Sequence, residues 1–361
     1  MKVLICIRHH LFEQWCAPDW FGPRLQAAFP DLDVLQLPSY DRLSAEIPDA
    51  DVFVGWSLRP EQFRAAASLR WIHATAAGVG QLLHPDVVAS SVLLTNSRNV
   101  QGPVVAEHVI ALIFALAKRL ADALRHQARH EWAQNAMWDT FPRPREVAGA
   151  TLGLVGFGSI GRETARRALA LGMRVLAVRE HPQFGAAAGR DLAPPAFTTG
   201  ADLDALNLTQ DNSALRQFGN SAIQVLGFDQ LDTVLAQSDF LVLAAPLTPR
   251  TERLLDASRL ARLRPTAYLI NVSRGALIDE PALVAALRDR RLAGAALDVF
   301  ATEPLPPDSP LLDLPTALVT PHIAALVDGL WERHYDLLVL NLRRFLAGLS
   351  LLNLVDKHKG Y

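Results

Sequence analysis

Short apolar runs recur along the chain, and most are followed by a stretch whose apolar positions repeat every three to four residues. The first run, Lys2–Ile7, is apolar at nearly every position, as a strand buried on both faces requires. Comparable runs follow at Asp33–Leu37, Asp51–Val54, Arg70–Ala74 and Val92–Thr95, with helix-like stretches such as Pro60–Ala67 between them. Strands that alternate with helices predict an α/β fold with a parallel, doubly wound sheet. This first unit ends near Asn99.

Pro103 then opens a long apolar-periodic segment from Val104 to about Arg129, and proline suits the first turn of a helix. Residues Glu131–Glu146 lose that periodicity, carry Pro142 and Pro144, and read as an arm lying over a surface. A second α/β unit begins at Thr151. Its strands are expected at Thr151–Val155, Arg174–Val178, Ile223–Leu226, Asp239–Ala244, Ala267–Val272, Gly294–Asp298 and Ala317–Thr320. A last helix, Val327–Leu346, has no strand partner in the second unit and is expected to return to the first. The pattern predicts two Rossmann-like lobes with a cleft between them, the chain crossing near residues 100 and 323. Residues 182–222 exceed what a strand–helix–strand unit needs and read as a polar insertion.

Composition changes this picture little. The chain has 361 residues, more than one ordinary core accommodates, so two domains are expected. A formal net charge of −2 without long runs of like charge gives no reason to expect nucleic acid or an anionic membrane as partner. Cys6 and Cys16, the only two cysteines, do not make a disulfide framework, which points to a reducing compartment. The apolar run at the N-terminus is too short for a secretory core, and no stretch approaches a membrane span, so a cytoplasmic location is expected. His126 and His130 share helical spacing, but Gln127 stands where a zinc-binding HExxH segment needs Glu, and no metal site is expected.

Chemistry first appears at Gly156-Phe157-Gly158-Ser159-Ile160-Gly161. The spacing alone is a weak signal; here it follows an apolar strand and opens a helix, the context a dinucleotide loop needs. Gly156 permits the tight turn, Gly158 lets the backbone approach a pyrophosphate, and Gly161 lets helix and strand pack closely. The helix N-terminus offers N–H groups and a positive dipole end to the phosphates. Eighteen residues past Gly161 the second strand ends in Arg179 rather than an acid, which favours the 2′-phosphate of NADP over NAD. Glu180 beside it argues the other way, so NAD is the alternative.

Downstream come Asn-Val-Ser-Arg-Gly ending at Gly275, Ala-Thr-Glu-Pro around Glu303, and Thr-Pro-His-Ile-Ala around His322. Each follows an expected strand at its carboxyl end, where open α/β sheets place ligands. Arg274 suits a substrate carboxylate, because a guanidinium binds it through two parallel hydrogen bonds. A carboxylate at Glu303 would favour the charged form of a neighbouring imidazole at His322. Reduction of a keto group needs such a proton donor, since negative charge grows on its oxygen as hydride arrives. Any one of these residues alone would be unremarkable; the three together behind a dinucleotide loop form a catalytic set.

With these residues in hand, the chain closely resembles the D-2-hydroxyacid dehydrogenase family, most of all its glyoxylate/hydroxypyruvate reductase-like branch. The likeness runs through Arg70–Gly80, Ala106-Glu107-His108, the glycine loop, Ala244–Pro249, Asn271–Gly275, Asp298–Pro304, Pro321–Ala324 and Asn353–Lys357. It implies NAD(P)H-dependent reduction of a small 2-keto acid to the D-2-hydroxy acid, with Arg274, Glu303 and His322 catalytic. It further implies that Ala245, Pro246, Val272 and Ser273 line the cofactor and that Asp298 contacts its nicotinamide end. Backbone around Ala77, Gly78 and Val79 would receive the substrate carboxylate. Residues 1–99 plus 324–361 would then be a flavodoxin-like substrate domain. Residues 100–323 would be the dinucleotide-binding Rossmann domain, with a dimerisation arm at 103–146 and a homodimer as the expected assembly. Two rivals remain: a formate dehydrogenase, which releases no alcohol proton and has less use for Glu303, and a dinucleotide-sensing module like the corepressors that resemble the family.

Overall fold

The computed structural model of the chain describes residues 1–9, 12–180 and 223–360; the insertion expected at 182–222 lies outside them. Two compact units emerge, one of residues 1–101 with 326–361 and one of residues 102–325. Each is built on a parallel sheet.

In the first unit, β1 (Lys2–Cys6), β2 (Asp33–Gln36), β3 (Val52–Gly55), β4 (Trp71–Ala74) and β5 (Leu93–Asn96) lie in the order β2-β1-β3-β4-β5. Every strand pairing in it is parallel. One face is covered by the helix Phe21–Ala28 and by the helix Leu330–Leu346, whose Tyr335, Leu338, Val339 and Leu342 pack among Val3, Ile5, Val54 and Trp71. On the other, Leu4, Phe53, Ile72 and Leu94 pack with Leu43, Ile47, Leu58 and Val87. Apolar residues on both faces of β1 and β3 explain why these two runs lack polar alternation.

The core of this unit also holds charge-capable groups. His73 on β4 and His334 are both buried. His73 Nδ1 lies 2.8 Å from Thr95 Oγ1, which also accepts the Trp71 indole N–H at 2.8 Å. His334 Nδ1 lies 3.1 Å from Ser97 Oγ. Burial, together with the charge of His334, pushes His73 down to about 3, and burial pushes His334 down to about 4. Below their ordinary value of 6.5 the unfolded chain therefore binds protons that the native core refuses. Stability from this pair is complete above pH 6.5 and falls as pH drops toward 4, by about 1 kcal/mol per pH unit for each histidine. Urea midpoints measured from pH 7.5 to 4.5 check this: His334→Gln should flatten the dependence, and a slope identical to the parent's would contradict it.

In the second unit, β6 (Thr151–Val155), β7 (Arg174–Arg179), β8 (Ile223–Gly227), β9 (Phe240–Leu243), β10 (Tyr268–Asn271), β11 (Gly294–Leu297) and β12 (Ala317–Val319) lie in the order β12-β11-β10-β9-β6-β7-β8. All pairings are again parallel. The strand order reverses between β9 and β6, the switch point at which such sheets bind ligands beyond their carboxyl ends. Val155, Leu243, Asn271, Leu297 and Val319 stand level across the sheet, so the loops after five strands open at one edge.

One expectation needs correcting. The continuous helix foreseen from Val104 to Arg129 is two helices, Gly102–Ala117 and Leu120–Ala128. The break is at Arg119, which adopts a left-handed backbone with φ 54°. Its guanidinium holds that turn by reaching Asp122 at 2.6 Å and the carbonyl oxygens of Met137 and Thr140 at 2.7 and 2.9 Å. Hydrophobic periodicity cannot see such a break, because a guanidinium that compensates the backbone leaves the apolar spacing intact. The second helix ends at Ala128, so His126 and His130 do not share one helix; His126 instead meets Glu131 at 2.7 Å.

Candidate active site

The glycine loop leaves the carboxyl end of β6. Gly156 has φ 100°, and a Cβ there would lie 2.7 Å from the Ala244 carbonyl, so only glycine fits. A Cβ on Gly161 would come within 2.4 Å of the Gly156 oxygen, which places helix and loop in direct contact. Gly158 is different: nothing lies within 4 Å of the position its Cβ would take. That open space lies at the head of the helix Ser159–Ala170, whose first N–H groups have no acceptor one turn back. An open glycine before free N–H groups is what a pyrophosphate needs, so the residues fit a dinucleotide. Phe157 is buried behind the loop, and Ile160 is half-buried on the helix.

At the end of β7, Arg179 is half-buried, and its side chain makes no hydrogen bond or ion pair with the described residues. The carboxylate of Glu180 meets Arg250 Nη1 at 2.5 Å. The acid that would repel a 2′-phosphate is thus neutralised by a second guanidinium, which the sequence reading did not single out. Arg250 belongs to the segment after β9 that also carries Ala245 and Pro246; Ala245 is buried and Pro246 exposed.

The loop after β10 carries Val272, Ser273 and Arg274. Asn271, fully buried at the strand end, ties it down: its amide donates to the Arg274 carbonyl at 2.9 Å and accepts from Ser273 N at 3.1 Å. Ser273 Oγ donates to the Ala245 carbonyl, linking two of the loops expected to line the cofactor. Arg274 keeps solvent access, and its Nη1 rests on the Ser273 carbonyl at 2.7 Å. Crowding by protein pulls the Arg274 pKa down while Glu303 opposes it, with little consequence, since a guanidinium stays charged.

Gly275 explains how this loop finds the next. A Cβ there would sit 1.8 Å from the carbonyl carbon of Phe300, backbone against backbone. Phe300 N in turn donates to Glu303 Oε1 at 2.9 Å. Gly275→Ala should therefore lower stability by more than the roughly 1–3 kcal/mol of ordinary overpacking, because main chain rather than a flexible side chain must move. A thermal melt unchanged from the parent would refute the close approach.

Glu303 Oε2 lies 2.6 Å from His322 Nδ1. Burial raises the Glu303 pKa, but the hydrogen bonds to His322 and Phe300 N and the charges of His322 and Arg274 outweigh it, leaving the carboxyl below its ordinary range. An ionised carboxylate only accepts hydrogen bonds, so the proton between the two groups belongs to Nδ1 of the imidazole. Nε2 makes no hydrogen bond with the described residues, and His322 is exposed.

His322 has φ 53°, a left-handed conformation that needs support. Asp298, 1% exposed, supplies it. Its Oδ1 accepts from Thr320 Oγ1 at 2.6 Å and Ile323 N at 2.9 Å, and its Oδ2 from Ala324 N at 3.0 Å. Asp298 was singled out in the sequence as a neighbour of the nicotinamide; its carboxylate is occupied with the turn that carries His322. No spacing rule reveals this, since the donors are mostly backbone.

In the first unit, the loop after β4 holds Ala77, Gly78 and Val79. The Asn96 amide donates to the Ala77 carbonyl at 2.8 Å, and Ser97 N donates to the Ala76 carbonyl at 3.0 Å. The carbonyls of this loop are thereby held, while the N–H groups of Ala77, Gly78 and Val79 donate to none of the described atoms.

The chain is similar to known proteins over most of its length. The family described as D-isomer specific 2-hydroxyacid dehydrogenase, NAD binding domain, matches residues 110–202 and 186–324. A glycerate dehydrogenase of Methylorubrum extorquens is 32% identical over 295 residues, 81% of this chain and 80% of that protein. A glyoxylate/hydroxypyruvate reductase B of Pectobacterium carotovorum is 30% identical over 327 residues, 91% of this chain and 90% of that one. Among solved structures, a D-isomer specific 2-hydroxyacid dehydrogenase from Xanthobacter autotrophicus, in complex with NADPH and MES, superposes with TM-score 0.77 at 27% identity, covering 100% of this chain and 99% of its own.

Proposed function

This chain belongs to the D-isomer-specific 2-hydroxyacid dehydrogenase family and is an NAD(P)-dependent oxidoreductase, and we propose that it reduces a small 2-keto acid of the glyoxylate or hydroxypyruvate kind to the D-2-hydroxy acid. The observation that carries this reading is the 2.6 Å contact of Glu303 with His322 Nδ1, formed within reach of the Arg274 charge. When bound, the nicotinamide supplies hydride to the carbonyl carbon. Arg274 holds the carboxylate of the keto acid and orients its carbonyl. His322 gives the proton on Nε2 to the carbonyl oxygen, completing the alcohol. Glu303 fixes the tautomer through Nδ1 and compensates the imidazolium charge.

The pyrophosphate is assigned to Gly156–Gly161, with Val272, Ser273, Ala245, Pro246 and Asp298 beside the rest of the cofactor. Arg179 and Arg250 together favour a 2′-phosphate, so NADPH is the preferred reductant and NADH the poorer one. The backbone of Ala77, Gly78 and Val79 is assigned to the substrate carboxylate, in keeping with its uncommitted N–H groups. Dimerisation through 103–146 is supported by the exposed Leu120, Leu124, Trp132, Trp138 and Phe141 within that region. A reducing, cytoplasmic setting suits the free thiols of Cys6 and Cys16. No described helix is long and apolar enough to cross a membrane.

Steady-state kinetics over glyoxylate, hydroxypyruvate, pyruvate and bulkier 2-keto acids, each with NADPH and NADH, test the proposal. Turnover of at least one small 2-keto acid with NADPH, and chiral analysis giving the D product, is expected. Tight binding of NADPH with negligible turnover of every acid would instead identify a sensor.

A further inference from the structure

We propose that His108 is a positioning residue for this reaction, acting through Thr320 and Asp298 on the turn that presents His322. The inference rests on the reading of His322 as proton donor. His108 is half-buried in the helix Gly102–Ala117, beside buried positions that are all glycine or apolar: Gly102, Val104, Val105, Ala106, Val109, Leu112, Ile113, Leu116 and Ala117. An imidazole on that face is out of keeping with simple packing. Its Nε2 lies 3.3 Å from Thr320 Oγ1 and 3.7 Å from Asp298 Oδ1.

Proton counting fixes the direction of these bonds. Thr320 has one hydroxyl hydrogen, and it is given to Asp298 Oδ1 at 2.6 Å. The same oxygen can then only accept from His108, so Nε2 of His108 carries a hydrogen. Burial lowers the His108 pKa, with Asp298 opposing, which agrees with a neutral imidazole protonated on that nitrogen. A directed chain results, from His108 Nε2–H to the Thr320 hydroxyl to the Asp298 carboxylate. Asp298 then receives Ile323 N and Ala324 N, the two residues after His322. The helix thus sets the rotamer of Thr320, Thr320 and the turn share one carboxylate, and the left-handed His322 is held between them.

The test uses the full-length enzyme with its best 2-keto acid and NADPH, comparing His108→Leu, His108→Gln, Thr320→Val and the double variant His108→Leu/Thr320→Val. His108→Leu and Thr320→Val should each lower kcat about 10- to 100-fold, the usual effect of misplacing a reacting group. KM for the keto acid and Kd for NADPH, read by fluorescence titration, should change less than about three-fold, because on this proposal both groups act through the turn rather than on a ligand. His108→Gln, whose amide can still donate to Thr320, should recover most of the turnover. In the double variant the losses should not multiply, since both substitutions cut the same chain. Multiplying losses, unchanged kcat in Thr320→Val, or a defect expressed mainly in KM or NADPH binding would overturn the inference. Thr320→Val is isosteric and carries the test if His108→Leu fails to fold. His322→Asn in the same assays separates the two levels. Retained turnover there defeats the proton-donor reading and this inference with it. Lost turnover there, with His108→Leu and Thr320→Val fully active, defeats this inference alone.

Discussion

Replacing His322 with asparagine is expected to lower kcat about 10²- to 10⁴-fold, the usual contribution of a general acid, and to leave NADPH affinity close to that of the parent. Asparagine is the informative choice because of the backbone. His322 has φ 53°, and asparagine tolerates that region better than most residues, so the turn on Asp298 should survive. The asparagine NH2 can still donate a hydrogen bond to Glu303 or to the alkoxide, but it has no acidic proton to deliver. Glu303→Gln should fall in the same direction by less, because the imidazole remains while its tautomer and charge lose their partner. The checks are kcat, KM and a direct NADPH titration for each variant. Unchanged kcat in His322→Asn would remove the histidine from the chemistry. A loss confined to NADPH affinity would make it a binding group.

Arg274→Lys carries the second large effect. A guanidinium holds a carboxylate through two parallel bonds, and each charge-assisted bond contributes about 1.5–3 kcal/mol. An ammonium retains the charge but cannot reproduce the fork. Loss of one such bond corresponds to about a 10- to 100-fold fall in kcat/KM, given 1.36 kcal/mol per decade. Most of it should appear in KM for the keto acid, with a further fall in kcat where the carbonyl is misoriented. Arg274→Ala should be worse, because the charge goes too. Normal turnover of a small 2-keto acid by Arg274→Lys would show that the carboxylate is held elsewhere.

The architecture was legible because apolar strands covered on both faces write themselves as uninterrupted runs, as in Lys2–Cys6 and Phe240–Leu243. Strand ends shifted by a residue or so, which does not alter which loops open at the carboxyl edge. The long helix failed at Arg119, where one left-handed residue and its guanidinium redirect the chain without disturbing the apolar spacing. At the site, Arg274, Glu303 and His322 were readable only as a set, each after a strand of one unit and all behind a dinucleotide loop. Thr320, Asn271 and Arg250 were not. Their roles consist of bonds to backbone or to partners distant in sequence, which residue type does not announce. The acid beside Arg179 counted in sequence against a phosphate and loses that force once Arg250 is seen on it.

Phe300 and Gly275 meet main chain to main chain, so the segments bearing the guanidinium and the glutamate form one rigid block rather than two adjustable fingers. Exchanging one of these segments without the other is expected to shift Arg274 against Glu303, whereas exchanging both together should keep the two in register.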